Sequence, residues 1–466
     1  MRIHLPALTF PTVALNPHIF REYDIRGIVG EDLTAETVAL LSLAIGSFFR
    51  KYGAEKIAIG YDARESSPGF ESVLSKGLRA SGIDVVSIGR VPTPVLYYAV
   101  HTLGVDGGIM ITGSHNPPEY NGFKICLGKD ALFGEQIREI RSIAEGGERF
   151  SGEGSRLEVE VLEDYLDDLA DRIELGSRKL KAVIDSGNGM GAVTAVPLYE
   201  QLGIELIELF SDPDPAFPNH HPDPTVEENL LDLIEAVEAH EADVGIAFDG
   251  DGDRIGVVDE KGRVIWGDEL MILYSRAVLE ENPGATVIAE VKCSQTLYDD
   301  IEEHGGKALM WKAGHSLIKA KMKETGAILA GEMSGHIFFA DRFYGFDDAA
   351  YAGGRLFEIL SKNEGPLSSL LADVPETFST PEIRVPCPEE RKTEVVEAIA
   401  REFSGTRDVI TIDGARISFE GGWGLVRASN TQAILVLRFE AGSPERLKEI
   451  RRAVTDRVEA LLAERP

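Results

Sequence analysis

The chain has 466 residues, of which 43% are hydrophobic, and its 47 Lys and Arg against 78 Asp and Glu give a formal net charge of −31 at pH 7. This length exceeds what one hydrophobic core organises, so we expect three or four domains. The negative charge repels nucleic acids and anionic membrane surfaces and argues against a general role at either. Any anionic substrate must therefore be held by local groups of basic residues.

Cysteine usage and hydrophobic runs indicate the compartment. The three cysteines, Cys126, Cys293 and Cys387, form neither a CxxC pair nor a zinc-binding spacing, which fits a reducing compartment. Residues 1–20 lack a basic segment followed by an apolar one, and no uninterrupted apolar run approaches the roughly 18 residues of a membrane span. We therefore expect a soluble cytoplasmic protein, whose acidity fits solubility through net charge and also a saline cytoplasm.

The first third of the chain alternates patterns typical of helices and of strands. Apolar residues recur at helical spacing, and short apolar runs follow them. The predicted elements are a helix over 34–53, a strand over 57–59, a helix over 68–82, and strands over 84–88 and 107–112. This order is typical of an α/β sheet, which binds ligands at the carboxyl ends of its strands.

A polar turn that contains Ser114 follows the last of these strands directly. Turn-forming residues surround Ser114 and would alone explain a serine at this position. However, His115 is adjacent and Lys124 lies ten residues further on, so titratable groups are near the hydroxyl. The turn lacks the G-x-S-x-G pattern, which disfavours an ester hydrolase. We interpret Ser114 as a nucleophilic or phosphorylated serine.

A second unit of the same kind is predicted between a strand over 181–185 and a strand over 244–248. Alternate glycines at 187, 189 and 191 do not have the G-x-G-x-x-G spacing of a dinucleotide site, so we predict a tight turn between a strand and a helix. The second strand leads into Asp249-Gly-Asp-Gly-Asp-Arg254.

This aspartate loop is predicted to bind a metal. Asp249, Asp251 and Asp253 alternate with glycines and can converge on one hard divalent cation. The sixth position is Arg254 rather than the glycine of a calcium-binding loop, and the flanks are predicted strands, so a magnesium site fits better. An acidic hairpin without a metal has the same local pattern. Arg254 can form two hydrogen bonds with a phosphate beside the metal, or simply neutralise the aspartates.

A third unit is predicted from a helix over 268–280 and strands over 286–291 and 327–330. The last strand leads into a glycine-bounded loop, in which Glu332, Ser334 and His336 place acceptors and donors at alternate positions. Recognition of neighbouring sugar hydroxyls needs such an arrangement.

The last ninety residues are predicted to form an α+β domain, mobile relative to the rest. Its predicted strands lie over 382–386, 409–412, 415–419 and 433–439, and its last helix begins at Ser443-Pro444. Within it, Arg427-Ala-Ser-Asn-Thr431 offers a guanidinium, two hydroxyls and an amide, which favours phosphate binding. A polar hairpin turn is the alternative.

These residues match a known family: the chain resembles the α-D-phosphohexomutases, and within them the phosphomannomutase/phosphoglucomutase group, over essentially its full length. The matching motifs are Thr112-Gly-Ser-His-Asn-Pro117 with Asn121-Gly-Phe-Lys124, Asp249-Gly-Asp-Gly-Asp-Arg254, Gly331-Glu-Met-Ser-Gly-His336 and Arg427-Ala-Ser-Asn-Thr431. Supporting motifs are Tyr23-Asp-Ile-Arg-Gly27, Asp62-Ala-Arg-Glu-Ser-Ser67, Lys292 and Trp311-Lys-Ala-Gly-His-Ser316.

The resemblance implies four domains around a central cleft. Three are related domains with mixed α/β sheets, and the last is an α+β domain of the TATA-binding-protein-like type. We place them at 1–160, 161–263, 264–376 and 377–466. In chain order they are expected to carry the phosphoserine loop, the metal-binding loop, the sugar-recognition loop and the phosphate-binding loop.

The resemblance also implies a chemistry. A hexose 1-phosphate and a hexose 6-phosphate, of mannose or glucose, interconvert through a hexose 1,6-bisphosphate, which is both intermediate and activator. The expected partners are small sugar phosphates, and the protein is expected to be a monomer or a weak homodimer. Mg²⁺ is expected to be held by phosphorylated Ser114 with Asp249, Asp251 and Asp253.

Further roles follow from the same resemblance. Proton handling and charge stabilisation are assigned to His115, Lys124, Arg26 and His336, and the sequence does not say which is the base. Binding roles are assigned to Tyr23, Arg254, Lys292, His315, Glu332, Ser334, Arg427, Ser429, Asn430 and Thr431.

Three other functions remain open at this point. Met333 stands where relatives that act on glucosamine phosphate usually carry glutamine, which favours mannose and glucose phosphates over a phosphoglucosamine mutase. A non-catalytic sugar-phosphate-binding protein would need no exposed serine. A magnesium-dependent phosphatase would release inorganic phosphate stoichiometrically, whereas a mutase shields its phosphoserine from water.

Overall fold

The first domain is built on a seven-stranded mixed sheet in a computed structural model that describes residues 15–429 and 433–464. Its strand order is β1-β5-β4-β2-β3-β7, with β6 beside β5. The strands are β1 (Ile25–Ile28), β2 (Lys56–Tyr61), β3 (Asp84–Arg90), β4 (Gly107–Ile111), β5 (Tyr120–Leu127), β6 (Asp130–Ala131) and β7 (Arg156–Glu158). The helices are α1 (Ala35–Lys51), α2 (Ser67–Ala80), α3 (Thr93–Thr102) and α4 (Glu135–Ala144).

The helices and strands predicted for this domain are confirmed. Helix α1 begins after Thr34, whose side chain accepts a hydrogen bond from the Thr37 amide and so caps the helix. The sequence pattern does not predict β5, because Asn121 and Gly122 are typical of turns. A Cβ at Gly122 would lie 2.3 Å from the carbonyl oxygen of Ile25, so only glycine lets β5 pair closely with β1 here.

The second domain is a five-stranded sheet in the order β12-β11-β10-β8-β9. Its elements are α5 (Leu162–Asp171), β8 (Lys181–Asp185), α6 (Gly191–Gln201), β9 (Glu205–Leu209), α7 (Leu231–Ala239), β10 (Val244–Phe248), β11 (Ile255–Asp259) and β12 (Val264–Ile265). The flanks of the aspartate loop are strands, as predicted, and these strands, β10 and β11, pair as an antiparallel hairpin. The predicted glycine turn lies between β8 and α6, with Gly187 at a φ of +48°.

The third domain is a four-stranded sheet in the order β14-β13-β15-β16. Its elements are α8 (Gly267–Glu281), β13 (Thr286–Glu290), α9 (Gln295–Glu303), β14 (Lys307–Trp311), α10 (His315–Thr325), β15 (Leu329–Gly331), β16 (Ile337–Phe339) and α11 (Ala349–Lys362). The predicted sugar-recognition loop is the turn between the antiparallel strands β15 and β16.

The fourth domain is an antiparallel sheet in the order β17-β22-β21-β20-β19, with β18 beside β22. Its elements are β17 (Phe378–Ser379), β18 (Ile383–Pro386), α12 (Lys392–Ser404), β19 (Val409–Ile410), β20 (Ala415–Phe419), β21 (Gly422–Ala428), β22 (Ile434–Ala441) and α13 (Pro444–Ala463). Strand β21 is not predicted by the sequence pattern, because Gly422 and Gly424 interrupt it. The side chain of Ser443 caps α13, as predicted.

Hydrophobic packing joins the first three domains. One core cluster includes Tyr97 of α3, Tyr199 of α6 and Leu356 of α11, whereas the fourth domain has a core of its own between its sheet and its two long helices. At the edge of the fourth domain, the buried guanidinium of Arg416 donates to the carbonyl oxygen of Cys293 at 2.8 Å. Within the described ranges, no helix is both long enough and apolar enough to cross a membrane.

Helices α1 and α2 pack closely at Gly77, which predicts a steric test. A Cβ at Gly77 would lie 1.8 Å from Ser42 Oγ and 2.5 Å from Ser42 Cβ. The Gly77→Ala substitution must therefore push the helices apart, at a cost of about 1–3 kcal/mol. We expect a lower midpoint of thermal unfolding by calorimetry.

Gly69→Ala in the same helix is the matched control. Nothing lies within 4 Å of a Cβ at Gly69, and replacing a helical glycine with alanine stabilises a helix by about 0.5–1 kcal/mol. Its midpoint is expected to stay level or rise. Equal midpoints for the two variants would show that the contact at Gly77 is not tight.

Candidate active site

Ser114 lies in the sharp turn after β4 and is 2% exposed. Its backbone is in the left-handed region at a φ of +50°, which is strained for a residue with a side chain. Its hydroxyl donates to Asp249 Oδ2 at 3.0 Å and lies 3.1 Å from His115 Nδ1. The serine turn of the first domain and the aspartate loop of the second domain are therefore in direct contact.

The turn around Ser114 is held by one buried arginine. The guanidinium of Arg64 donates to four carbonyl oxygens of this turn, those of Ser114 at 2.8 Å, Asn116 at 2.6 Å, Pro117 at 2.6 Å and Tyr120 at 2.9 Å. Charged donors form stronger hydrogen bonds than neutral ones. Arg64 thus fixes the strained backbone that presents the serine hydroxyl.

In the sequence, Arg64 stands out only as part of the motif Asp62-Ala-Arg-Glu-Ser-Ser67, which does not predict this role. Its partner Asp62 lies 3.2 Å from Arg64 Nε, and both side chains are almost completely buried. Burial raises the pKa of the Asp62 carboxyl, and Arg64 opposes that rise. Gly113 permits the arrangement, because a Cβ there would lie 2.5 Å from Arg64 Cζ. The glycine before the serine is a further signal in the sequence, but it does not identify Arg64 as the residue packed against it.

The three aspartates of the loop between β10 and β11 are fully buried. One oxygen from each of Asp249, Asp251 and Asp253 lies within 4.8 Å of the others. Lys124, on β5 of the first domain, donates to Asp251 Oδ2 at 2.7 Å and also contacts Asp253 Oδ2. Thr93, at the start of α3, donates to Asp251 Oδ2 at 2.5 Å.

Burial and mutual repulsion give these groups unequal pKa values. Burial raises the pKa of Asp249 well above its usual range, and Asp253 and Asp251 add to the rise. Burial also acts against ionised Asp253, but Lys124 and His336 outweigh it and hold the pKa of Asp253 well below its usual range. Burial lowers the pKa of Lys124, and the aspartates outweigh this and raise it, so Lys124 is a cation at neutral pH.

The donor set suits a hard divalent cation. Carboxylate and hydroxyl oxygens are the ligands that Mg²⁺ prefers, and the aspartates and Ser114 place four such groups together. One oxygen, Asp251 Oδ1, is buried and has no hydrogen-bond partner among the described residues. A buried carboxylate oxygen without a partner is costly, and a cation would satisfy it.

The predicted sugar-recognition loop meets the aspartates through His336. His336 Nε2 lies 3.2 Å from Asp253 Oδ1, and Nδ1 lies 2.8 Å from Glu332 Oε2. Burial lowers the pKa of His336, but Asp253 and Glu332 outweigh this and raise it to about 9. Ser334 Oγ lies 3.5 Å from His336 Nδ1, and Arg254 Nε lies 3.3 Å from His336 Nε2. His336 of this loop and Arg254 of the aspartate loop therefore place two cations beside Asp253.

The pKa of His115 shifts in the opposite direction from that of His336. Burial and the nearby Arg254 and Arg26 hold the pKa of His115 well below its usual range, so its ring is neutral at neutral pH. Arg26 lies 2.5 Å from Asp24. The two histidines predicted for proton handling are thus in different protonation states.

A chain of hydrogen bonds connects the predicted phosphate-binding loop to the first domain. Arg427 Nη2 lies 3.0 Å from Asp413 Oδ2, which also accepts from the Ala313 amide at 3.1 Å. The carbonyl oxygen of Ala313 accepts from the Tyr23 hydroxyl at 2.9 Å. Next to Ala313, the ring of His315 lies edge-on to Tyr23 with centroids 6.1 Å apart.

The remaining predicted residues are Lys292, Ser429, Asn430 and Thr431. Lys292 lies 2.9 Å from Glu382 and 3.4 Å from Glu290, so it contacts the junction with the fourth domain rather than the serine. The Ser429 amide donates to the carbonyl oxygen of Ile434. Asn430 and Thr431 lie outside the described residues.

Four family models match the chain in order. Their descriptions are phosphoglucomutase/phosphomannomutase alpha/beta/alpha domain I at residues 17–149, domain II at 163–262 and domain III at 266–378, and the C-terminal domain at 382–457. Together these matches cover most of the chain.

Individual relatives agree over nearly the full length. The chain is 48% identical to a phosphomannomutase/phosphoglucomutase of Pseudomonas putida, over 96% of this chain and 97% of that one. It is 47% identical to a phosphoglucomutase of Neisseria meningitidis serogroup A, over 93% and 95%. Its fold is similar to the crystal structure of a phosphoglucomutase/phosphomannomutase family protein from Burkholderia thailandensis, with a TM-score of 0.91 and 43% identity, over 97% of this chain and 99% of that one.

The contacts of Arg64 predict that lysine cannot replace it. A lysine ammonium lacks the planar fork that reaches several carbonyl oxygens at once, so Arg64→Lys loses most of the charge-assisted bonds to the turn. We expect faster amide hydrogen exchange over residues 113–121 and a lower unfolding midpoint. Arg138→Lys is the control, because the side chain of Arg138 is 63% exposed. Unchanged exchange in Arg64→Lys would show that the turn does not depend on the guanidinium.

Proposed function

Because the chain belongs to the phosphoglucomutase/phosphomannomutase family, we propose that it is a phosphohexomutase that interconverts the 1-phosphates and 6-phosphates of mannose and glucose. The observation that carries this proposal is the buried contact between Ser114 Oγ and Asp249 Oδ2 at 3.0 Å. It places a nucleophilic oxygen at the edge of a site with three carboxylates and two cationic side chains. Phosphoryl transfer depends on such positioning and charge stabilisation.

The active form carries a phosphate on Ser114. The phosphoserine gives its phosphoryl group to the free hydroxyl of the bound sugar phosphate: the bond from phosphorus to Ser114 Oγ breaks, and a bond from phosphorus to the sugar oxygen forms. The sugar hydroxyl loses its proton in this step, and Ser114 Oγ gains one. The resulting 1,6-bisphosphate turns round, and its other phosphate returns to Ser114. Asp249, Asp251, Asp253 and the phosphoserine would hold Mg²⁺, which would supply charge neutralisation at the transferring phosphoryl group.

The protonation states of the surrounding side chains distinguish residues that exchange protons from residues that stabilise charge. The serine hydroxyl has two neighbours able to take its proton, Asp249 and His115. If Asp249 binds the metal, the neutral ring of His115 is left to exchange the proton on Ser114 Oγ. Lys124 and His336 have raised pKa values and, with Arg26, stabilise the negative charge of the phosphoryl group.

Substrate binding uses the sugar-recognition loop and the fourth domain. Glu332 and Ser334 hold sugar hydroxyls, and Arg427 with Ser429, Asn430 and Thr431 grips the phosphate that is not reacting. The buried guanidinium of Arg427 supports this assignment, because an arginine held by one carboxylate keeps donors for a phosphate. The other binding residues are Tyr23, Arg254, Lys292 and His315.

We also propose that the enzyme works in the cytoplasm and meets its sugar phosphates there. Cys126, Cys293 and Cys387 are buried free thiols, which fits a reducing compartment.

Removing the nucleophile tests the central step. Ser114→Ala is expected to abolish sustained turnover of mannose 1-phosphate and glucose 1-phosphate in a coupled assay with a trace of bisphosphate activator. Peptide mass spectrometry of the active wild-type enzyme is expected to show a phosphate on Ser114. Ser75→Ala is the control, because the Ser75 hydroxyl is buried in α2 without a hydrogen-bond partner among the described residues.

Two outcomes would contradict the proposal that the protein is a mutase. One is an active wild-type enzyme without phosphate on Ser114. The other is stoichiometric release of inorganic phosphate from the substrate, which would identify a phosphatase.

Arg427 provides a test of substrate binding. Arg427→Ala loses a charge-assisted contact to phosphate worth roughly 1.5–3 kcal/mol, so KM is expected to rise by about ten- to a hundredfold while kcat changes less. Arg452→Ala, on an 84% exposed side chain of the same domain, is the matched control. Unchanged substrate affinity in Arg427→Ala would refute the assignment.

A further inference from the structure

The two carboxylate oxygens of Asp251, in the aspartate loop, have different surroundings. Asp251 Oδ2 accepts from Thr93 Oγ1 at 2.5 Å and from Lys124 Nζ at 2.7 Å. Asp251 Oδ1 is buried and has no hydrogen-bond partner among the described residues. Because two donors already hold Oδ2, Oδ1 is the oxygen that is left for a cation.

Thr93 contacts Asp251 through its backbone as well as through its hydroxyl. The Thr93 amide donates to the carbonyl oxygen of Asp251 at 2.9 Å. Both contacts connect α3 in the first domain with the aspartate loop in the second domain, and Thr93 is completely buried. The backbone and the side chain of Asp251 are therefore both fixed relative to the same helix.

The position of Thr93 at the start of α3 makes these contacts available. The first amides of a helix have no partner within the helix, and this end of a helix favours negative charge. The preceding residue, Pro92, makes no side-chain hydrogen bond that caps the helix. Asp251 supplies a carbonyl and a carboxylate oxygen instead, so α3 and the aspartate loop satisfy each other.

Asp249 is held in a similar way. Its Oδ1 accepts from the amides of Asp253 at 3.1 Å and Arg254 at 3.2 Å, which leaves Oδ2 for a cation. A carboxylate with one oxygen held by donors gives a metal only its other oxygen. This arrangement suits Mg²⁺, which takes six ligands in a compact octahedron, whereas Ca²⁺ takes six to eight oxygens and often both oxygens of a carboxylate.

We propose that Thr93 is a positioning residue for the metal site: its hydroxyl holds Asp251 Oδ2, so that Asp251 offers a cation only Oδ1, and the site thereby favours Mg²⁺ over Ca²⁺. The inference rests on the proposed function, from which it takes the metal site. Metal binding is measured without turnover, so the two proposals can fail separately. A protein that is not a mutase can still bind Mg²⁺ through a positioned Asp251.

Mn²⁺ is the probe for the test, because its electron paramagnetic resonance signal is strong in water and nearly disappears on binding to protein. Full-length protein is titrated with Mn²⁺, and the bound Mn²⁺ is then displaced with Mg²⁺ or with Ca²⁺. Mass spectrometry checks that all preparations carry the same amount of phosphate on Ser114. In the wild type, we expect Mg²⁺ to displace Mn²⁺ at a concentration at least about tenfold lower than Ca²⁺ does.

Two substitutions separate the hydroxyl of Thr93 from its bulk. Thr93→Val keeps the branched shape and the backbone amide but removes the hydroxyl. Its binding of Mn²⁺ and Mg²⁺ is expected to weaken about tenfold, as is typical when a group that orients a metal ligand is lost. Its binding of Ca²⁺ is expected to weaken less, so the preference for Mg²⁺ falls. Thr93→Ser keeps the hydroxyl and is expected to stay within about twofold of the wild type.

Thr102→Val, at the other end of α3, is the matched control. The Thr102 hydroxyl donates to the carbonyl oxygen of Tyr98 at 2.9 Å, so this variant is expected to bind all three metals as the wild type does. Circular dichroism and thermal melts check that each variant is folded. Thr93→Ala replaces Thr93→Val if the latter does not fold, and the comparison of Mg²⁺ with Ca²⁺ in the wild type needs no variant.

Four results would overturn the proposal. They are unchanged Mn²⁺ binding in a folded variant without the hydroxyl, Thr93→Ser that binds as weakly as Thr93→Val, and a wild type that binds Ca²⁺ as tightly as Mg²⁺. The fourth is weaker binding of all three metals with an unchanged ratio of Mg²⁺ to Ca²⁺ affinity, which would show that Thr93 only stabilises the fold.

Discussion

The meeting of the first three domains depends on the neutralisation of three carboxylates that are buried side by side. Asp249, Asp251 and Asp253 come from one short loop and are fully buried, and burying an unpaired charge costs more free energy than most folds can spare. Lys124, from the first domain, and His336, from the third domain, supply the compensating charge. Because each partner belongs to a different domain, charge balance at this loop fixes how three domains meet.

The same charges give two histidines of one site opposite protonation states. Burial disfavours the imidazolium form of both. His336 faces Asp253 and Glu332, which raise its pKa to about 9, whereas His115 faces Arg254 and Arg26, which add to the effect of burial and keep it neutral. One site therefore offers a neutral ring at the serine and a cationic ring at the sugar loop. Such a division of acid and base roles comes from the surroundings and not from residue type.

Much of the fold could be predicted from the sequence, because apolar periodicity fixes α1, β8, β10 and α13 almost to the residue. Strands β5 and β21 could not, since glycines that permit close strand pairing look like turn residues. Ser114 and the aspartates follow their strands directly, so local pattern identifies them. Arg64 could not be found this way, because its role depends on contacts with residues distant in sequence.

One carboxylate, that of Asp413, connects the fourth domain to the third and first domains. Asp413 binds both the Arg427 guanidinium and the Ala313 amide, and Ala313 in turn accepts from Tyr23. A phosphate that bound Arg427, as proposed, would share the guanidinium with Asp413, whose negative charge would lower the net gain from the contact. Under the proposed function, weaker binding suits a bisphosphate that would leave Arg427 and return with its ends exchanged, because an arginine without a neighbouring carboxylate would release it more slowly. If Arg427 binds phosphate as proposed, its acidic partner favours turnover over affinity, as expected when binding that is equal in every bound state does not raise kcat.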